Sequence, residues 1–313
     1  MQPVRLFWFV VGLILVGAIL FSVKPMKLFK KVISIYAGAG YHLRIGLNPC
    51  VHGFDSAQFG VLFDKQGAIN TGGGSIAIDE VCFIENLTEY LEPKSILVIG
   101  NSFGLSSVAL ALAWPKARVV AIDCGTPTTT MLHRIMDPDL TSRQIPRDFG
   151  IKLTRELAAS SGLDLKVVQG FSPQDLNLAL EVQASPFDLV FIDGDHRNPQ
   201  VIADFSGARE ISSEKCVYIF HDVINWELEP GLAKCTEMSG LCQTLLDRTS
   251  SGIGVLFPHT MVSLGEHLSV YTEPESTKSS LQGRWLNNWV YRLVKMSNSS
   301  DFLTKLRTWL RSV

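Results

Sequence analysis

Two clusters of acids and histidines stand out in the second half of the chain. Asp193–His196 (DGDH) follows the apolar run Phe187–Ile192, and His221-Asp222 follows the apolar run Cys216–Phe220. Continuous apolar runs of this length are typical of strands that are covered on both faces. Because the carboxyl ends of parallel strands meet at one edge of a sheet, we expect the two clusters to lie close together. Carboxylates and imidazoles can take a proton or hold a cation, so this edge is predicted to carry a catalytic site.

Two chemistries fit these side chains. In the first, Asp193 and Asp222, with His221 as a further ligand, hold a divalent cation such as Mg²⁺ that acidifies a substrate hydroxyl. In the second, a histidine is a metal-free general base. Asp193 and His221 are therefore the candidate catalytic residues, and Asp193 and Asp222 are the candidate metal ligands. For Asp195 and His196, capping of the following loop is an equally good interpretation.

A glycine turn lies upstream of these clusters. The β-rich run Ser95–Ile99 ends at Gly100–Gly104 (GNSFG), and a helical pattern follows at once. Glycine permits positive φ and a close approach of a ligand to the backbone, and the first N–H groups of the helix face that ligand. The next strand, Arg118–Asp123, ends in an acid about 20 residues after the turn, the spacing at which an acid binds ribose hydroxyls. Together they predict a nucleotide-like cofactor.

Three other interpretations compete with this one. GNSFG also matches the G-x-S-x-G nucleophile elbow of α/β-hydrolases, with Ser102, an acid and His221 in the hydrolase order. A hydrolase, however, places several strands before its elbow, whereas one helix and a glycine-rich loop precede this turn. A nicotinamide oxidoreductase requires a fuller G-x-G-x-x-G, which is absent. The third alternative is a membrane-anchored Rossmann-like domain that has lost its chemistry.

Strands and helices alternate from residue 78 to residue 257. A helix is predicted over Ile78–Leu91, and a closing strand pair is predicted near 244–246 and 252–257. A strand at Leu165–Val168 leads to Gly170–Ser172, where Ser172 is expected to cap a helix that begins at Pro173. This alternation predicts an α/β fold with a doubly wound parallel sheet, in which ligands bind beyond the carboxyl ends of the strands.

Taken together, VIGNSFG, the acid after RVVAI, FDLVFIDGDH and the later HD resemble class I S-adenosylmethionine-dependent methyltransferases. The branch with IDGDH after strand four and HD after strand five contains many O-methyltransferases of small molecules and sugars. The resemblance covers residues 75–258 and implies a Rossmann-like, seven-stranded, mostly parallel sheet whose last strand is antiparallel. Related metal-dependent enzymes place acids at both strand ends, which favours the metal route.

The resemblance also assigns residues to S-adenosylmethionine. The glycine turn would hold the methionine end, Asp123 the ribose and Gly170–Ser172 the adenine, while Asp193 would lie beside the sulfonium and the substrate. The predicted cofactor-binding residues are Gly100, Asn101, Ser102, Gly104, Asp123, Gly170, Phe171, Ser172 and Asp193. Ser102 stands where the family has its middle glycine.

Both ends of the chain suggest contact with a membrane. Leu6–Val23 is 18 residues without a charge, the length of a short membrane-spanning helix, with a cleaved signal peptide as the alternative. Four lysines between residues 24 and 31 follow it, so the positive-inside rule predicts a single-pass protein with its catalytic domain in the cytosol. From residue 283 on, six Lys and Arg residues against one acid, with interspersed Trp, predict basic amphipathic helices that bind the membrane or pack on the domain.

Composition limits the remaining possibilities. The net charge of −2 at pH 7 gives no electrostatic argument for nucleic-acid binding. The chain is divided into an anchor with a basic juxtamembrane segment (1–32), a linker or cap (33–74), the methyltransferase-like domain (75–258) and a basic helical tail (259–313). The expected acceptor is a small molecule, a sugar or a lipid-linked compound.

Overall fold

The structure is a computed structural model that describes residues 27–45, 60–63, 65, 69–72, 75–126 and 146–274. The predicted anchor Leu6–Val23 and the predicted amphipathic helices beyond residue 283 lie outside these residues. Within the described ranges, no helix has both the length and the apolar content needed to cross a membrane.

The described residues form eight helices and ten strands. The helices are α1 (Lys27–Gly38), α2 (Ile78–Leu87), α3 (Leu105–Ala113), α4 (Phe149–Ser161), α5 (Leu176–Gln183), α6 (Asn198–Glu210), α7 (Glu229–Ser239) and α8 (Val262–Ser269). The strands are β1 (His42–Ile45), β2 (Gly60–Phe63), β3 (Ile69–Gly72), β4 (Ser95–Ile99), β5 (Arg118–Asp123), β6 (Leu165–Gln169), β7 (Phe187–Ile192), β8 (Ser212–Phe220), β9 (Cys242–Leu246) and β10 (Ile253–Phe257).

Seven strands form the main sheet, in the order β6-β5-β4-β7-β8-β10-β9. Strand β10 runs antiparallel to both of its neighbours, whereas β6, β5, β4, β7 and β8 pair in parallel. The seven-stranded, doubly wound sheet with a reversed last strand is confirmed. The small sheet β1-β2-β3 is antiparallel and falls in the segment that sequence analysis left without elements.

The central strands end level with one another. Ile99 at the end of β4 pairs with Ile122 of β5 and with Ile192 of β7, and Ile192 pairs with Phe220 of β8. The residues that follow these four strands therefore meet at one edge, as the sequence predicted.

Both faces of the sheet are covered, which explains the continuous apolar runs. Val98 and Phe191 point into a core shared with α1 to α4 and α8. Leu97 and Val190 point into the opposite core, which α5, α6 and α7 complete. Successive side chains of one strand thus enter different cores. Because both cores are apolar, almost every position of such a strand carries an apolar residue.

Helix α1 packs against this domain. Its apolar side chains Leu28, Val32 and Tyr36 are buried, and the Tyr36 hydroxyl donates a hydrogen bond to the Phe103 carbonyl at 3.0 Å. The helix runs across the expected boundary between residues 32 and 33. It therefore connects the basic segment directly to the glycine turn.

Candidate active site

The glycine turn, Gly100–Gly104, joins β4 to α3 through residues with positive φ. Gly100 has φ +89°, and a β-carbon there would overlap the carbonyl of Asp193 on the neighbouring strand end. Gly104 has φ +93° and precedes α3, where a β-carbon would overlap the Thr154 side chain. The two glycines thus allow the turn to pack against β7 on one side and α4 on the other.

Asp123, at the end of β5, organises this turn. Its Oδ2 accepts hydrogen bonds from the backbone N–H groups of Asn101 (2.7 Å) and Ser102 (3.0 Å), and its Oδ1 accepts from Gly125 (2.7 Å). A carboxylate oxygen has two lone pairs, so capacity remains for a ligand hydroxyl.

Asn101 contributes from behind the turn. Its buried side-chain amide donates to Thr154 Oγ1 at 2.9 Å, and its Oδ1 accepts from Ser107 Oγ at 2.9 Å. The Asn101 side chain therefore ties the turn to α3 and α4 and does not face the ligand side.

A cavity of about 560 Å³ opens at this edge of the sheet. That size falls in the range of about 300–1,000 Å³ that holds small molecules and cofactors. Seven of the nine predicted cofactor residues line it: Gly100, Ser102, Asp123, Gly170, Phe171, Ser172 and Asp193. The two exceptions, Asn101 and Gly104, are not among its lining residues. Phe171, with 63% of its surface exposed, offers a free aromatic face at the rim.

The segment after β6 differs from its prediction. Helix α5 begins at Leu176, and Ser172 does not cap it. Instead the Ser172 hydroxyl donates to Asp204 Oδ1 at 2.7 Å, and Gln200 Nε2 donates to the same oxygen at 2.8 Å. Burial raises the pKa of Asp204 despite these hydrogen bonds. The Ser172 hydroxyl, which was expected to cap α5, therefore donates its hydrogen bond to the buried Asp204 on α6.

The two clusters predicted from the sequence converge into one acid–histidine cluster of Asp193, His196, His221 and Asp222. His221 Nδ1 lies 3.0 Å from Asp193 Oδ1 and 3.4 Å from Asp222 Oδ2. His196 Nε2 lies 3.5 Å from Asp193 Oδ1 and 3.3 Å from Asp222 Oδ2. Its ring stacks on Trp226, with centroids 5.0 Å apart and planes at 10°. His196 thus belongs to the cluster, whereas Asp195 is exposed and pairs with Arg197.

A fifth member of this network was not predicted from the sequence. Glu80 on α2 is fully buried, and its Oε2 lies 2.9 Å from His221 Nε2. One signal could have revealed it: Glu80 stands three, four and seven residues before Phe83, Ile84 and Leu87, which are all buried on the same helix face. An acid on the apolar face of a helix requires a polar partner.

The charges in the cluster shift its pKa values. Burial alone would lower the pKa of His221, but the charges of Asp193, Asp222 and Glu80 raise it well above its usual value. Burial would raise the pKa of Asp193 and Asp222, but the charge of His221 lowers both. The pKa of His196 is raised by Asp193 and Asp222 against the effect of burial. Each charge in the cluster thus favours the ionised form of its neighbours.

The cluster also fits a divalent cation. Each of its four residues offers one ligand atom, and these atoms lie within 4.8 Å of one another. His196 Nε2 is buried and makes no hydrogen bond within the described residues. Two carboxylates and two imidazoles form a donor set that suits divalent metals such as Mn²⁺ or Zn²⁺, and the acids alone suit Mg²⁺.

Comparison with known proteins agrees with this geometry. Residues 97–223, from β4 to just past the acid–histidine cluster, match the family model described as a methyltransferase domain. This stretch is a methyltransferase domain. The predicted resemblance to S-adenosylmethionine-dependent methyltransferases is therefore confirmed for these residues. No curated protein matches the sequence.

Several solved structures are similar to this methyltransferase at low sequence identity. An O-methyltransferase from Bacillus cereus in complex with SAH is 17% identical, with a TM-score of 0.47 over 77% of this chain and 96% of that one. The O-methyltransferase TomG from Streptomyces achromogenes, in complex with SAM, is 16% identical (TM-score 0.44; 76% and 92% covered). A methyltransferase from Geobacter sulfurreducens is 16% identical (TM-score 0.42; 58% and 80% covered).

The surroundings of His221 do not fit the hydrolase interpretation. Both ring nitrogens of His221 face carboxylates of Glu80, Asp193 and Asp222. No hydrogen bond joins Ser102 to a histidine in the part of the chain that the structure describes. Among the described residues, Ser102 therefore has no hydrogen-bonded histidine that could act as its general base.

Proposed function

We propose that this methyltransferase transfers a methyl group to a hydroxyl oxygen of a small molecule, a sugar or a lipid-linked compound. One observation supports this most: Asp193 and His196 line the cavity and also belong to the acid–histidine cluster. A cofactor held by the glycine turn and Asp123 would therefore present its reactive end to groups that manage a proton.

In this proposal, the position of each residue in the site determines its role. S-adenosylmethionine, when bound, supplies an electrophilic methyl group. The acceptor hydroxyl gives up its proton as its oxygen gains the methyl. Asp193 Oδ1 and His221 Nδ1, 3.0 Å apart, are the groups suited to hold that proton, and His221 can accept it only in the state in which Nδ1 carries none. The turn and Asp123 orient the donor, which lowers the entropic part of the barrier.

A divalent cation is the second part of the proposal. Asp193 and Asp222 would hold it, with His221 and His196 as nitrogen ligands. When bound, the cation would lower the pKa of the acceptor hydroxyl. It would also offset the repulsion between the two ionised carboxylates.

The direct test is transfer of a labelled methyl group from S-adenosylmethionine to phenols, catechols, sugars and extracted lipids. We expect label in at least one hydroxyl class, loss of transfer in excess chelator, and recovery with Mg²⁺ or Mn²⁺. Full activity in chelator would refute the cation and leave a histidine as the base. Labelling of nitrogen or sulfur acceptors, with none on oxygen, would refute O-methylation.

We propose further that Leu6–Val23 anchors the enzyme in a membrane, with the catalytic domain in the cytosol. The uncharged run and the lysines after it support this, and Lys27, Lys30 and Lys31 are exposed on α1. A reporter fused after Val313 should behave as cytosolic, and the chain should resist extraction by alkaline carbonate. Release by carbonate would contradict the anchor.

A further inference from the structure

Glu80 lies outside the matched stretch 97–223, yet it reaches the acid–histidine cluster from α2. Its Oε2 accepts a hydrogen bond from the Ala77 backbone N–H at 2.7 Å and lies 2.9 Å from His221 Nε2. Its Oε1 accepts from the Ser251 backbone N–H at 3.1 Å and from the Ser251 hydroxyl. One carboxylate thus links α2, the loop between β9 and β10, and the end of β8.

The contacts of Glu80 decide which way the His221 ring faces. A carboxylate accepts hydrogen bonds and does not donate them, so the contact with Nε2 requires a proton on that nitrogen. The ring then presents Nδ1 to Asp193 Oδ1 at 3.0 Å and to Asp222 Oδ2 at 3.4 Å. By the same rule Nδ1 also carries a proton while these carboxylates are ionised, so Nδ1 is the nitrogen that can give up its proton while Glu80 retains the one on Nε2. If the ring rotated, Nε2 would lose Glu80 as its partner. Because His221 is buried, solvent would not replace that hydrogen bond.

We propose that Glu80 is a positioning residue, which keeps the proton on His221 Nε2 and thereby directs Nδ1 to the reaction centre. The inference rests on the proposed function, because it takes His221 as a catalytic group. In metal sites, a carboxylate often accepts a hydrogen bond from the ring nitrogen of a histidine that does not bind the metal, and this contact orients the ring. The same contact therefore serves His221 as a base and as a ligand.

The chain offers a matched control beside Glu80. Asp79, the preceding residue on α2, holds the same loop through Ser250: its two carboxylate oxygens accept from the Ser250 backbone N–H and hydroxyl, each at 2.7 Å. No contact between Asp79 and His221 occurs among the described residues. Replacing Asp79 therefore removes a link between α2 and the loop and does not remove any contact of the His221 ring.

The experiment compares Glu80→Ala, Glu80→Gln and Asp79→Ala in the full chain, labelled with ¹⁵N-histidine and held in detergent. Of the seven histidines, the His221 signal is the one that His221→Gln removes. We expect a persistent, hydrogen-bonded Nε2–H signal in the wild type and in Asp79→Ala. In Glu80→Ala this signal should shift or be lost by exchange, and Glu80→Gln, which keeps an amide oxygen, should restore it.

A second measurement follows Mn²⁺ by electron paramagnetic resonance. Loss of an outer partner lowers metal affinity by about 10- to 100-fold, so Glu80→Ala should show such a loss and Asp79→Ala should not. Both variants lose a link between α2 and the same loop, so both are expected to lose stability. Thermal unfolding of each variant measures that loss and distinguishes it from a loss of metal affinity. If Glu80→Ala does not fold, Glu80→Met, which fills a similar volume but offers no oxygen to His221, takes its place in the comparison with Asp79→Ala.

An unchanged His221 Nε2–H signal in Glu80→Ala would overturn the inference. Equal effects of Glu80→Ala and Asp79→Ala on both readouts would overturn it as well, because Glu80 would then serve the loop alone. Failure of the proposed function looks different: the wild type would bind neither S-adenosylmethionine nor Mn²⁺, while the histidine signals would still report on Glu80.

Discussion

The Asp123 carboxylate accepts three backbone hydrogen bonds from the glycine turn and from Gly125, and it also lines the cavity. Sequence spacing predicted the second property and not the first. An acid at this strand end thus shapes the loop that would hold the methionine end while offering oxygen atoms to a ribose. Its replacement is expected to affect both.

We predict that Asp123→Ala weakens binding of S-adenosylhomocysteine by roughly 2–4 kcal/mol, because two charge-assisted hydrogen bonds to the ribose are lost. Calorimetric titration measures this loss. A 2′,3′-dideoxy analogue separates the ribose contact from support of the turn. Removing the hydroxyls should weaken binding to the wild type and change little in the variant. Equal losses in both proteins would contradict the ribose assignment.

The wrong or missing predictions for individual residues have a common cause. Glu80, Asn101 and Ser172 are defined by partners that lie far away in the sequence. Glu80 meets His221 across 141 positions, Asn101 meets Thr154 across 53, and Ser172 meets Asp204 across 32. Strand-end acids, in contrast, were found because their positions follow from local pattern and from the rule that parallel strands end together.

At the scale of elements, the buried strands were the most predictable. Strands β5 and β7 have the predicted limits, because apolar runs covered on both faces have a clear signal. Helix α2 ends at Leu87, four residues before its predicted end, although Leu91 remains buried. The small sheet β1-β2-β3 was missed, since its four-residue strands carry no clear periodic pattern.

The turn between β4 and α3 is the element on which the site depends most. Gly100→Ala should destabilise the protein by about 2–4 kcal/mol, since positive φ costs about 1–2 kcal/mol and the new β-carbon would press on the Asp193 backbone. Gly162→Ala is the matched control, because its φ is +64° but no atom lies within 4 Å of a β-carbon there. Urea unfolding measures both changes.

The control should lose only the conformational part, about 1–2 kcal/mol. The Gly100 variant should also lose methyl transfer, because Asp193 would shift with its backbone. Equal destabilisation of the two variants would show that the turn does not press against β7.

At the scale of the whole molecule, the order of the sheet brings the site together. Strands β5, β4, β7 and β8 are neighbours in the sheet, and this order brings residues as far apart in the sequence as Ile99 and Asp204 into the lining of one cavity. Helix α1 adds a physical connection between the basic segment and the turn through Tyr36 and Phe103. A fragment starting at residue 33 would cut this helix, so binding studies are better made on the full chain.

The most direct test of the central claim measures binding and chemistry together in Asp193→Asn. We expect this variant to bind S-adenosylmethionine nearly as well as the wild type in calorimetry. Its methyl transfer to an acceptor of the wild-type enzyme should fall by about 10²-fold or more, the usual contribution of a group that handles the reacting proton. Asp195→Asn, an exposed acid two residues away that pairs with Arg197, should keep most of the wild-type rate. Full activity of Asp193→Asn would contradict the assignment of the site.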